Sequence, residues 1–141
     1  MFYRKDRGFT LVEMLIVIII IGILAALGFP QFGKTKEHAL GKEAIANLKL
    51  IAAAEKIYRM EAVTSYYPSL GIVNNISTIN TNLKLSLPSG TTRNWDYSIT
   101  GGAATFTAIA ARLGKGGYLD CQYSINQGQD DPVPKVSSSC P

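Results

Sequence analysis

RGFTLVEMLIVIIII, Arg7 to Ile21, places one carboxylate, Glu13, near the start of a run that is otherwise apolar. From Met14 to Phe29 no side chain is charged or strongly polar. The 21 residues from Phe9 to Phe29, at a rise of ~1.5 Å each, reach ~30 Å as a helix, about the hydrocarbon thickness of a bilayer. IVIIII, Ile16 to Ile21, is β-branched and favours strand in water. In lipid the backbone has no water partner and satisfies itself internally as a helix. The fold is thus expected to open with a membrane-spanning helix.

Arg4, Lys5 and Arg7 stand directly before this run, which predicts an N-terminus in the cytoplasm and export of everything after Phe29. A secretory signal peptide is the rival, with small residues for cleavage in LAALG, Leu24 to Gly28. Its apolar core would be long for that role, and it would gain nothing from Glu13. The formal charge is +4, of which Arg4, Lys5 and Arg7 less Asp6 supply +2. The basic residues from Lys34 to Arg59 are interleaved with Glu37, Glu43 and Glu55, the pattern of a solvated helix face, so nucleic-acid binding is not indicated. Glu13 itself has two readings. It can lie at the membrane interface and cost little, or it can await a cation that the span does not contain.

The hexapeptide GFTLVE, Gly8 to Glu13, follows a short basic leader and precedes an apolar helix with Gly22 and Pro30 beyond. It resembles the class III signal of type IV pilins and of type II secretion pseudopilins. The close resemblance covers about 30 residues and is architectural after Pro30. It implies cutting between Gly8 and Phe9 by a prepilin peptidase, N-methylation of the new Phe9 amine, and pairing of Glu13 with that amine on a neighbouring subunit. It also implies that Gly22 and Pro30 loosen the helix, so a kink or melted stretch between them is expected in the assembled state. The pairing is physically reasonable. Two unit charges ~4 Å apart attract by ~4 kcal/mol at an effective dielectric of ~20, before desolvation is subtracted.

Beyond Pro30 the helix is predicted to resume, with Leu40, Ala44, Leu48, Ile51, Ala54 and Tyr58 forming one apolar stripe. Lys42, Glu43, Lys49, Glu55, Lys56 and Arg59 supply the wet sides, Glu55 and Arg59 as an i, i+4 pair. Ser65 to Asn82 reads as a loop rich in asparagine. Four alternating runs follow: Leu83, Leu85 and Leu87; Trp95, Tyr97 and Ile99; Phe106, Ala108 and Ala110; and Leu119, Cys121, Tyr123 and Ile125. Gly101-Gly102 marks a hairpin between the second and third, and GKGG, Gly114 to Gly117, precedes the fourth. The tail from Asn126 should be irregular. If it lies outside the cytoplasm, Cys121 and Cys140 are expected as a disulfide, and the resemblance implies the C-terminal disulfide loop of many such pilins.

The expected fold is α+β: a long N-terminal helix, membrane-spanning in its first half, packed on a small antiparallel sheet of about four strands. Its parts are a leader at 1–8, the assembly half of the helix at 9–30, the amphipathic half at 31–62, and a β domain at 63–141. Asp120, Asp130 and Asp131 match no specific calcium loop, and Asn75-Ile76-Ser77 fits a glycosylation acceptor common by chance. His38 has no catalytic partner at suitable spacing, so neither enzyme activity nor a metal or cofactor is expected. The implied role is a type IV pilus subunit, a single-pass inner-membrane precursor and then an extracellular filament. Its partners would be its own copies, the prepilin peptidase and the assembly machinery. The alternative is a type II secretion pseudopilin.

Overall fold

A computed structural model describes residues 8–62, 65–68, 71–114, 118, 120–135 and 140. Most of the leader, Lys115 to Gly117 and Leu119 lie outside the described residues. The chain divides into two compact units, Met1–Lys36 and Glu37–Pro141. One helix, α1, Leu11–Ala62, contributes to both.

In the first unit α1 is solvent-exposed from Leu11 to Leu27, with Leu11 at 82% and Ile18 at 65% exposure. Its backbone is helical through Gly22 and Pro30, so the single chain shows no melted stretch there. Alone, no helix among the described residues is long and apolar enough to cross a membrane. Leu11–Leu27 and Phe32–Glu61 taken together pass on length and composition.

The second unit packs the rest of α1 on a five-stranded antiparallel sheet of order β1-β2-β3-β4-β5. The strands are β1 Gly71–Val73, β2 Trp95–Gly101, β3 Phe106–Arg112, β4 Gln122–Asn126 and β5 Val133–Pro134. Period-two alternation decides the central strands. Trp95, Tyr97 and Ile99 on β2, Phe106, Ala108 and Ala110 on β3, and Tyr123 and Ile125 on β4 turn inward, and all are buried. They meet Ala44, Leu48, Ile51 and Ala54 of α1 in one core. Each large side chain buried this way contributes ~1.5 to 3 kcal/mol. Polar bonds fix the helix over the sheet: Trp95 Nε1 donates to the Leu40 carbonyl at 2.9 Å, and Asn47 Nδ2 to the Tyr97 hydroxyl at 2.7 Å. At Gly41 a Cβ would sit 3.0 Å from the Tyr123 hydroxyl, so glycine lets β4 approach the helix.

Four expectations change. Within the Ser65–Asn82 loop the structure holds β1 and a second helix, α2, Ile76–Leu83. Asn75 caps α2, its side chain accepting from the Thr78 amide, and Ile76, Ile79 and Leu83 line the buried side. Leu83–Leu87 is not a strand. Leu83 closes α2, Lys84 turns the chain with φ 53, and Asn80 clamps Leu87 through its amide and carbonyl at 2.8 and 2.9 Å. The tail carries β5, which makes five strands where about four were expected. Glu55 is not on a wet face. It is 0% exposed and accepts from the Tyr67 amide at 2.8 Å, because Ser65–Pro68 folds over it. Arg59 turns instead to the Tyr66 hydroxyl, 3.0 Å away.

Cys121 and Cys140 form a disulfide across a sequence separation of 19. A loop of that size restricts the unfolded chain by ~3 kcal/mol in the chain-entropy account. Cys140→Ser is accordingly expected to lower the unfolding free energy by about that much, seen as a lower denaturant midpoint. A midpoint unchanged in the serine variant would mean that the bridge constrains nothing in the unfolded chain.

Candidate functional site: the N-terminal processing and assembly segment

Thr10 and Glu13 build the start of α1. The Thr10 amide and hydroxyl donate to Glu13 Oε2 at 2.9 and 3.0 Å, and the Glu13 amide donates to Thr10 Oγ1 at 3.2 Å. This is a reciprocal capping box, which satisfies helix-end donors that have no intrahelical partner. The T-x-x-E spacing that signals it stands in the sequence at Thr10 to Glu13, hidden there by the apolar run that dominates the segment. Within one chain, then, Glu13 is held by its own helix terminus.

Phe9 is 76% exposed, one residue before the cap, and Gly8 precedes it in open space, where an added Cβ would meet nothing within 4 Å. The bond between Gly8 and Phe9 therefore lies on an exposed approach to the helix. Gly22 also has open space around it, and both Gly22 and Pro30 fall within α1. The unit brings Gly8, Phe9 and Glu13 together at one end of the helix and leaves Gly22 and Pro30 two and more turns along it. What it offers chemically is an exposed peptide bond before Phe9, a carboxylate four residues beyond Phe9, and a long apolar surface. Among the described residues, no group of three or more His, Cys, Asp or Glu side chains is placed to hold a metal ion. Asp131 instead pairs with Lys49 at 2.5 Å.

A family description, "Prokaryotic N-terminal methylation motif", matches residues 3–29. The chain carries the prokaryotic N-terminal methylation motif. The motif takes in the capping box, the exposed Gly8–Phe9 bond and the whole apolar run to Phe29. The chain is 45% identical over 60 residues to the type IV major pilin protein PilA of Myxococcus xanthus, covering 43% of this chain and 27% of that one. It is 41% identical over 66 residues to type II secretion system core protein G of Pseudomonas aeruginosa, covering 47% and 45%. Against core protein G of Escherichia coli it is 37% identical over 65 residues, covering 46% and 43%. Each match thus spans less than half of the relative. No solved structure matches the chain. Over these 60 to 66 residues the chain is similar both to a pilus subunit and to secretion-system core proteins.

Proposed function

We propose that this protein is a filament subunit, a type IV pilin, made as an inner-membrane precursor and polymerised through α1. A prepilin peptidase cuts between Gly8 and Phe9, and the Phe9 amine is methylated. The observation that carries the proposal is the apolar run from Phe9 to Leu27, capped by Thr10 and Glu13 and exposed among the described residues. Leaving such side chains in water costs ~1.5 to 3 kcal/mol each. They need lipid before assembly and other helices after it. In lipid, apolar contact between helices drives association weakly, so a charge pair is needed to set register. Glu13 supplies its negative half and the Phe9 amine of a neighbour its positive half. To make that pair Glu13 exchanges its bonds to Thr10 for the intermolecular ones. The role is structural, with partners in its own copies and the assembly machinery.

A type II secretion pseudopilin is the second reading, favoured by the likeness to core protein G. The Cys121–Cys140 loop supports the pilin. To test the proposal, surface material is sheared from the native host, and the N-terminus and mass of the protein in it are determined. A pilin is expected there in abundance, beginning at methylated Phe9 and two mass units below its reduced form. Cleaved protein retained in the envelope and absent from the sheared fraction would favour the pseudopilin. A start near Phe29 would overturn both.

A further inference from the structure

Glu55 is the one charged side chain in the core among the described residues. Its Oε2 accepts from the Tyr67 amide at 2.8 Å, whereas Oε1 is buried without a hydrogen-bond partner. The groups around it offer no compensating charge. On α1, Arg59 lies over the Tyr66 ring, 4.8 Å from its centroid, and bonds to its hydroxyl. Tyr58 packs edge-on against Tyr67 with centroids 5.6 Å apart. From α2, Asn82 donates to the Tyr67 hydroxyl at 3.0 Å, and the nearby Lys84 is paired with Glu61 at the surface. The β2 end and the turn after it, at Gly101 and Gly102, present backbone only. Among the described residues, none of the ion pairs includes Glu55.

The segment over Glu55 is fitted closely to the rest. The Tyr66 amide donates to the Gly102 carbonyl at 3.1 Å, the Tyr66 ring lies 5.0 Å from that of Phe106, and a Cβ on Gly101 would come within 2.4 Å of the Pro68 carbonyl oxygen. Glu55 thus sits under a lid of four described residues, Ser65–Pro68, that spans from α1 to the β2–β3 turn. A neutral carboxyl can remain there with one unmade bond. An ionised one, with an unpartnered oxygen and no cation, requires water, and water reaches it only if the segment lifts.

We infer that Glu55 is a pH-sensitive latch: its neutral carboxyl holds Ser65–Pro68 docked on α1 and the β2–β3 turn, and its ionisation releases that segment. This does not rest on the filament reading, because it concerns the second unit alone. Burial pushes the Glu55 carboxyl up from 4.5 to about 7, against the opposing hydrogen bond from the Tyr67 amide. Burial also raises the Tyr67 phenol above its ordinary 10, so that neighbour stays neutral when Glu55 titrates. The docked carboxyl binds its proton more tightly than a released one. Its stabilisation is therefore complete below pH 4.5 and is lost as pH rises through about 7.

The test uses the full chain in detergent micelles. Carbon NMR of the glutamate carboxyls gives the Glu55 midpoint, and amide exchange at pH 5 and pH 8.5, corrected for intrinsic base catalysis, reports the segment. Glu55 is expected to titrate near neutrality. The Tyr67 amide should lose at least about tenfold of its protection at the higher pH, while Ile99 and Ala108 in the β2–β3 ladder keep theirs. Glu55→Gln keeps an acceptor for the Tyr67 amide and cannot ionise, so the pH dependence should vanish in it. A Glu55 midpoint near 4.5, or Tyr67 protection that follows Ile99 and Ala108 at both pH values, overturns the latch. Both readings come from the unaltered protein and decide the matter even if the glutamine variant fails to fold.

Discussion

A Gly8→Val chain is expected to fold and enter the membrane like its parent and yet to remain uncut, so that sheared surface material contains none of it. The expectation separates a structural from a chemical need for glycine. Structurally there is none: a Cβ at Gly8 meets nothing within 4 Å, and the bonds that start α1 run between Thr10 and Glu13, beyond the reach of residue 8. A loss on substitution must therefore arise where another protein handles the Gly8–Phe9 bond. The proposed peptidase needs the position before the cut free of side chain, so a branched residue is expected to block it. Without the cut there is no Phe9 amine, and Glu13 keeps its bonds to Thr10 and has no intermolecular partner. The effect is all-or-none, unlike a graded loss of stability. Gly33 is the control, since it too has open space around it within α1. Gly33→Ala should be processed normally, and its helix should gain ~0.5 to 1 kcal/mol. Immunoblotting of membrane and sheared fractions, with N-terminal sequencing, reads both variants. Mature protein starting at Phe9 from Gly8→Val would falsify the processing site, and uncut precursor in filaments would refute the requirement for a free amine.

What the sequence made legible follows from how local each signal is. Trp95, Tyr97 and Ile99 and then Phe106, Ala108 and Ala110 alternate cleanly, with two glycines between them, and they become β2 and β3 paired from Trp95–Arg112 to Gly101–Phe106. The apolar stripe of α1 likewise buries Ala44, Leu48, Ile51 and Ala54 as its period requires. Failures occur where polarity masks pattern. Asn74, Asn75, Asn80 and Asn82 make the α2 region look like loop, yet Asn75 is a capping residue, and Ile76, Ile79 and Leu83 already stand at three- and four-residue steps. Leu83, Leu85 and Leu87 alternate like a strand, but two of the three are buried by a helix end and an asparagine clamp.

Glu55 fails for a different reason. Its position puts it on the buried face with Ile51, Ala54 and Tyr58, and only its charge argues otherwise. Nothing within a helical turn announces that Ser65–Pro68 will cover it, because the cover comes from a separate element of the fold. At the N-terminus the motif that points to processing was readable residue by residue, whereas the capping spacing of Thr10 and Glu13 was masked by the apolar run around it. Pairing across long separations was not readable. The ion pair between Glu37 and Arg112 joins residues 75 apart, and neither has a local feature that selects the other.

That pair is expected to give one of the largest stability losses from a single substitution in the second unit. Arg112 donates through Nε and Nη2 to the two oxygens of Glu37, both at 3.1 Å, and through Nη1 to the Asn94 carbonyl at 2.8 Å and to the Leu113 carbonyl. Its guanidinium also lies 5.7 Å from the Trp95 ring centroid. The two side chains are only 10% and 17% exposed, so neither can exchange its partner freely for water. Replacing Arg112 with methionine keeps much of the stem but leaves the Glu37 carboxylate and the Leu113 carbonyl without their donor, while the Asn94 carbonyl keeps the Leu113 amide. Removing one member of a largely buried pair costs ~3 to 5 kcal/mol, chiefly because the other charge stays behind. Arg112→Lys should lose less, ~1 to 2 kcal/mol, since an ammonium restores charge without the two-pronged geometry. Adding Glu37→Gln to Arg112→Met should recover part of the loss, because the stranded charge disappears. The protein has one tryptophan, Trp95, packed beside the guanidinium, so its fluorescence during denaturant unfolding follows this junction directly. If the methionine variant loses less than about 1 kcal/mol, the pair behaves as a surface contact and the helix–sheet junction is held by the apolar core alone.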